Sequence, residues 1–360
     1  MKSNNPLVSI LVPNYNYGRY LRQCLDSILA QTYDNFEVIF RDNSSTDDSF
    51  EIAMEYYPKF KEKGIYFSIH RNKYNVGSDK NSALCQDDSS GEYVYTLASD
   101  DYIAPSFIEK CVKVLEENRE VSMVMTERIE IDDAGNKKVL PPFYNKNCIV
   151  DGDAQAGVFM MSGIAIPGQR MFRLSSVSQT IMFARLWNVA GDWYMNYRMS
   201  MVGDVAYIKE PLMYYRVHRG NETNNSELCC LGSFEHYQLL NQFVELAKVF
   251  DRKKPIERYD AAVKKLGGMC LRYAFKMIQN DEIKVARKYL ILAEFYDADI
   301  VKSDAHIRLV RIVDSIGSSE CKRMMDEYMK MYCNERTISY DPPEAVSYTH
   351  LRAHETLANL

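Results

Sequence analysis

The stretch SILVPNYNYGRYLRQCLDSILAQTYDNFEVIFRDNSSTDDS, residues 9–49, changes hydrophobic period twice. LVSILV at 7–12 is a β-branched apolar run that stops at Pro13-Asn14, which predicts a buried strand. From Arg19 to Gln31 the apolar positions are Tyr20, Leu21, Cys24, Leu25, Ile28 and Leu29, a helical spacing. FEVIF at 36–40 predicts a second strand, and Ser45-Thr46-Asp47 offers caps for a second helix.

The alternation continues. IYFSI (65–69), a helix from Ser78 to Gln86, EYVYTLA (92–98), a helix from Pro105 to Glu117 and VSMVM (121–125) follow in turn. Connections of this length allow crossovers. Residues 1–130 therefore predict an α/β fold, a mainly parallel twisted sheet with helices on both faces. Ligands of such sheets bind outside the carboxyl ends of the strands. Asn14, Asp42 and the adjacent pair Asp100-Asp101 fall there. Turn chemistry alone could place polar residues at these points. Two neighbouring carboxylates after an apolar run nevertheless ask for a positive partner.

Residues 130–220 are less regular. Asp132-Asp133-Ala134-Gly135-Asn136 reads as a turn between strands, Gly191–Met201 as a helix, and 205–209 and 212–217 as two strands. No G-x-G-x-x-G and no P-loop pattern occurs, so a nicotinamide or Walker-type site has no local support. After 228 long amphipathic patterns dominate, for example RYDAAVKKLGGMCLRYAFKMIQ at 258–279. The expected organisation is an α/β unit at 1–228, a helical C-terminal domain at 229–340 and a disordered tail at 341–360. VSYTHLRAHETLANL (346–360) resembles translated adapter read-through and is set aside.

The net charge of −5 argues against general nucleic-acid binding. Residues 251–333 carry 17 Lys and Arg against 13 Asp and Glu, which suits either an anionic membrane surface or a solvated bundle face. The nine cysteines are odd in number and form no C-x-x-C, so reduced thiols in a cytoplasmic protein are expected. No apolar run reaches 18 residues, so no helix is expected to span a membrane. N-E-T (221–223) and N-N-S (224–226) fit the glycosylation pattern but mean little without secretion.

Residues 6–220 resemble glycosyltransferase family 2, the inverting nucleotide-sugar transferases of the GT-A fold. The opening quoted above is similar to the family's P-x-Y/F-N strand end, its helix ending in S-I/L-x-x-Q-T/S-Y/F, and its D-x-x-S-x-D. NVGSDKNSALCQDDSSGEYVYTLASDD (75–101) is similar to the block that ends in the D-x-D-type motif. The resemblance implies a metal-dependent transferase that moves one sugar from a nucleotide-diphosphate sugar, a UDP-sugar favoured, to a glycan or lipid-linked acceptor. Bacterial surface polysaccharide synthesis, with peripheral contact at the inner face of the membrane, is the implied setting. Processive members carry Q-x-x-R-W and membrane helices; neither follows Asp192 here.

The same resemblance assigns residues. Asp100, Asp101 and His218 would hold Mn²⁺ or Mg²⁺, hard or borderline cations that suit carboxylate and imidazole. Asp100 also stands near the donor ribose. Ala98 replaces the acid that often precedes it by two positions. Asp42 would accept from the nucleobase, with Pro13, Asn14 and Tyr15 flanking it. Asn43 stands where a second acid is common. Arg71 would stack on or bond the base, or be solvated; Lys80 and Asn81 would touch the donor, or pack their helix on the sheet. Arg216 and Arg219 would meet phosphate oxygens. Asp192 in AGDWYMNYR would be the general base at a helix start, with Gly191 replacing a Glu and Trp193 as either a sugar-facing wall or core. A sugar nucleotidylyltransferase would need a Gly-rich basic loop that PNYNYGRYL does not supply. A non-catalytic binding module is the remaining alternative, resting on Ala98 and Gly191.

Overall fold

The computed structural model describes residues 5–179, 190–218, 227–333, 338–343 and 345–346. Its N-terminal elements are β1 (Val8–Asn14), α1 (Gly18–Leu29), β2 (Phe36–Asp42), α2 (Ser49–Glu62), β3 (Tyr66–Arg71), α3 (Ser78–Asp87) and β4 (Tyr93–Thr96). Strands β1, β2, β3 and β4 pair in parallel in the order β4-β1-β2-β3, as the alternating pattern requires. Both faces of these strands are covered. Val8, Ile10 and Val12 of β1 pack with Leu21 and Leu25 of α1, whereas Leu11 points into a second core. Val38, Phe40 and Ile39 of β2 divide the same way. That two-sided burial is why these strands read as unbroken apolar runs rather than alternating ones.

Beyond β4 the sheet is mixed. It continues with β5 (Tyr102–Ile103), α4 (Phe107–Glu117), β6 (Val121–Ile131), β7 (Lys137–Val139), β8 (Cys148–Val150), α5 (Gly152–Met161), β9 (Arg170–Arg173), α6 (Leu174–Gln179), α7 (Gly191–Val202) and β10 (Asp204–Arg216). VSMVM does form a strand, but it does not lie beside β4. The short β9 inserts between them, antiparallel to both. Residues 205–209 and 212–217 are one strand, not two. Pro211 cannot donate to the ladder, and the β10–β6 register shifts on either side of it. The turn at 132–136 closes the β6–β7 hairpin, with Gly135 at φ 83°.

Among the described residues five α-helices follow: α8 (Leu231–Val249), α9 (Lys254–Gln279), α10 (Ile283–Tyr296), α11 (Asp304–Asp314) and α12 (Cys321–Tyr332). They share one hydrophobic core with α5, α7 and the second face of the sheet. Tyr197 of α7 stacks on Phe243 of α8 with ring centroids 3.7 Å apart. The boundary expected near 228 therefore does not interrupt the core. Two later segments return to the sheet: Tyr340 bridges to Tyr144, and β11 (Ala345–Val346) pairs with β8. The tail expected from 341 is corrected accordingly, since backbone pairing holds the chain as far as 346; 347–360 lie outside the described residues. Among the described residues no disulfide joins any of the nine cysteines. Among the described residues no helix is long and apolar enough to cross a membrane.

Candidate active site

Three groups of polar side chains sit toward the carboxyl-end rim of the parallel strands. The first is built on β1 and β2, whose register sets Asn14 opposite Asp42. Asp42 is fully buried, and its carboxylate accepts Asn14 Nδ2 at 3.0 Å, the Ser45 amide at 2.9 Å and the Ser45 hydroxyl. Ser44, at φ 65°, makes the turn that brings that amide back. Arg71 at the end of β3 places Nε 3.4 Å from Asp42 and donates to the Ser45 carbonyl at 2.8 Å. Most of the acceptor capacity of Asp42 is thus used within the protein. It shapes the rim that exposed Tyr15 and half-buried Pro13 continue.

Asn81 is buried and donates to the Arg41 carbonyl while accepting from Asn72, so it ties α3 to the sheet. Lys80 beside it is exposed, without a hydrogen bond or ion pair among the described residues. Asp47 accepts from the Gly18 and Ser49 amides. A Cβ at Gly18 would meet the Asp48 and Asp47 carboxylates and stand 3.2 Å from the Ser49 amide, so glycine gives this loop its close approach to the N-terminus of α1.

The second group joins residues more than a hundred positions apart. The antiparallel pairing of β5 with β10 sets Tyr102 against Tyr214 and brings the end of β10 to Asp100 and Asp101. His218 Nε2 lies 3.1 Å from Asp100 Oδ2, both buried. The Arg216 amide donates to Asp101 Oδ1 at 2.8 Å, its Nε to the Asp100 carbonyl at 2.9 Å, and its Nη2 to Gln23 at 2.6 Å. Its guanidinium also lies over the Tyr20 ring. Arg216 therefore serves this loop rather than standing free for phosphate, a correction to the sequence expectation. Arg219, like 221–226, lies outside the described residues.

Burial pushes both carboxyl groups above the usual range. For Asp100, His218 and Arg216 oppose the rise; for Asp101, the neighbouring Asp100 adds to it. Neither acid caps α4, whose N-cap is Ser106. Position 98 contributes through its backbone, since the Asp101 amide donates to the Ala98 carbonyl at 3.0 Å.

The donor set can be weighed against a divalent cation. Among the described residues no three His, Cys, Asp or Glu side chains are arranged to hold one. Asp100 and His218 are already paired, and Asp101 stands beside them with one oxygen taken by the Arg216 amide and lone pairs left on its carboxylate. One or two carboxylates completed by substrate phosphate oxygens are a normal arrangement for Mg²⁺. Two buried acids with raised proton affinity fit such a cation, and so does the buried Ser99 hydroxyl beside them, which has no hydrogen-bond partner among the described residues.

The third group is Asp192 in the first turn of α7. It is not the N-cap, which is Ala190. The chain is held from β9. Arg170, 6% exposed, donates to the Asp192 carbonyl at 3.0 Å and to the Asn196 side chain. Because β9 runs antiparallel to β4 and β6, its first residue lies toward the rim that carries Asp100. Asp192 Oδ1 accepts the Trp193 amide at 2.7 Å. Burial raises the proton affinity of Asp192, and Arg170 opposes this; burial also brings Arg170 down to about 10. Asp192 and Trp193 line a cavity of about 290 Å³ between α5, α7, α8 and α9. Trp193 is half-buried, donating to the Phe159 carbonyl at 2.7 Å with Gly163 against its ring. It is thus both wall and packing. Arg170, Asn196, Gln23 and Tyr20 carry no sequence signal that separates them from core residues.

Residues 9–178 match a sequence model described as glycosyl transferase family 2. Chondroitin synthase of Escherichia coli is 28% identical over 77% of this chain and 37% of its own length. Hyaluronan synthase of Pasteurella multocida is 25% identical over 78% of this chain and 28% of its own length. The chain thus spans about a third of the length of these two relatives. Among solved structures, S. aureus TarS 1-349 in complex with UDP-GlcNAc has a TM-score of 0.58 at 16% identity, covering 89% of each chain. With the parallel β4-β1-β2-β3 half and the Asp100-Asp101 rim, residues 9–178 form a glycosyl transferase family 2 domain, and the chain has the GT-A fold.

Proposed function

We propose that the protein is an inverting, metal-dependent transferase. It moves one sugar from a nucleotide-diphosphate sugar to an acceptor hydroxyl, in polysaccharide synthesis. The observation that carries this reading is the half-buried, single carboxylate of Asp192. It faces a cavity and is held from β9 at the rim that also carries Asp100 and His218. Asp192 takes the proton of the acceptor hydroxyl while that oxygen bonds to the anomeric carbon. The bond from that carbon to the diphosphate breaks, and nucleoside diphosphate leaves with the electron pair. Attack from the face opposite the leaving group inverts the centre.

Asp100 and His218 would hold Mn²⁺ or Mg²⁺, with Asp101 adjacent; a bound cation supplies positive charge to the departing diphosphate. Asn14, Asp42 and Arg71 set the nucleobase end, with Pro13 and Tyr15 beside it. The TarS complex favours a uridine nucleotide. The acceptor is a glycan or lipid-linked glycan, and the exposed apolar Ile291 and Phe295 of α10, beside its lysines, support peripheral work at a membrane face.

Asp192→Asn is the test. Its amide oxygen can still accept the Trp193 amide, and Arg170 holds only the backbone, so the fold and donor affinity should persist. Transfer should fall by about 10² to 10⁴. Wild-type transfer by the Asn variant would defeat the base assignment. Absence of donor hydrolysis with any UDP-, GDP- or dTDP-sugar would favour a binding module instead.

A further inference from the structure

The cavity behind Asp192 is walled on one side by α9. Ala262, Lys265, Leu266, Met269 and Arg272 share that face, spaced three or four residues apart. Two of the five are cations. Lys265 donates to the Met161 carbonyl at 2.6 Å and retains two further N–H donors. Arg272 is exposed and has no hydrogen bond or ion pair among the described residues. The two repel: burial lowers the Lys265 proton affinity, and Arg272 lowers it further. Opposite them, His236 turns a buried Nδ1 that has no partner among the described residues. Burial pushes that imidazole down to about 4, so it is neutral near pH 7 and suited to a hydroxyl. Among the described residues the one acid lining the cavity is Asp192.

Two unmatched cations, a neutral imidazole and a catalytic carboxylate in one cavity describe a ligand with a hydroxyl at one end and negative charge at the other. We propose that this cavity is the acceptor site, and that Lys265 and Arg272 select an acceptor bearing an anionic group, a sugar carboxylate or a phosphate diester. The assignment as acceptor site rests on the reading of Asp192 as the base.

Binding without donor tests it. Three probes serve: a hexuronate-containing tetrasaccharide, its carboxyl-reduced neutral counterpart, and a glycerol phosphate oligomer. Calorimetry is run on wild type, Asp192→Asn and the Lys265→Ala/Arg272→Ala double variant. Wild type and Asp192→Asn should bind at least one anionic probe about tenfold or more tightly than the neutral one, as charge-assisted pairs allow. Which anionic probe binds identifies the source of charge. The double variant should lose the preference while keeping wild-type donor affinity, and Lys265→Arg/Arg272→Lys should restore it. No preference in wild type, including no binding of either anionic probe, overturns the inference. So does a preference that survives the double alanine change. Transfer by Asp192→Asn at the wild-type rate would sink the base assignment alone and leave the binding comparison standing.

Discussion

Asp101→Asn should make the ligand-free protein more stable and the enzyme worse. Asp101 is 3% exposed, beside a second buried acid, and its carboxylate accepts the Arg216 amide. An Asn oxygen keeps that bond, so the substitution removes charge without removing contact. Relief of one buried, poorly compensated charge is worth about 1–3 kcal/mol. An unfolding entropy of about 2.1 cal/mol/K per residue gives ~0.75 kcal/mol/K for this length, so the gain in Tm should be about 1–4 °C. The sign follows from the direction of the shift. A carboxyl whose folded proton affinity is raised contributes stability at pH below its unfolded value, and loses it as pH rises through the folded value. The gain of the variant should therefore be full near pH 8 and vanish around pH 4. Thermal unfolding across that range is the assay. Adding Mn²⁺ and a UDP-sugar should reverse the order, because binding stabilises only the form that binds. An Asn variant less stable at pH 8, or a gain independent of pH, would show that another group already neutralises Asp101.

Two further outcomes follow from the same geometry. Burial raises Asp192, so transfer by wild type should fall on acidification with an apparent pKa above the ordinary carboxylate range. A pH profile of kcat that is flat down to pH 4 would contradict this. Asn81→Ala removes the bonds to Asn72 and the Arg41 carbonyl, costing about 1–3 kcal/mol in denaturant unfolding, with little change in donor selectivity if Asn81 only anchors α3.

The local alternation of strand and helix was legible because each element states its own period. Leu11 and Ile39 point one way and their neighbours the other, and the fully apolar runs record burial on both faces. Strand limits also placed Asn14, Asp42 and the Asp100-Asp101 pair at the carboxyl ends of strands, since strand ends follow from strand limits. What local pattern could not convey was pairing between distant segments. Four-residue β9 carries no periodic signal, yet it enters the sheet between β4 and β6 and brings Arg170 to Asp192. Pairing of β5 with β10 carries Arg216 and His218 to Asp100 and Asp101 across more than a hundred residues. The cavity behind Asp192 likewise needed α9 to fold back over α5. Helical spacing places Lys265 and Arg272 on one face, but only tertiary packing decides that this face meets the Asp192 carboxylate. Periodicity is a property of neighbours in the chain; charge compensation is a property of neighbours in space.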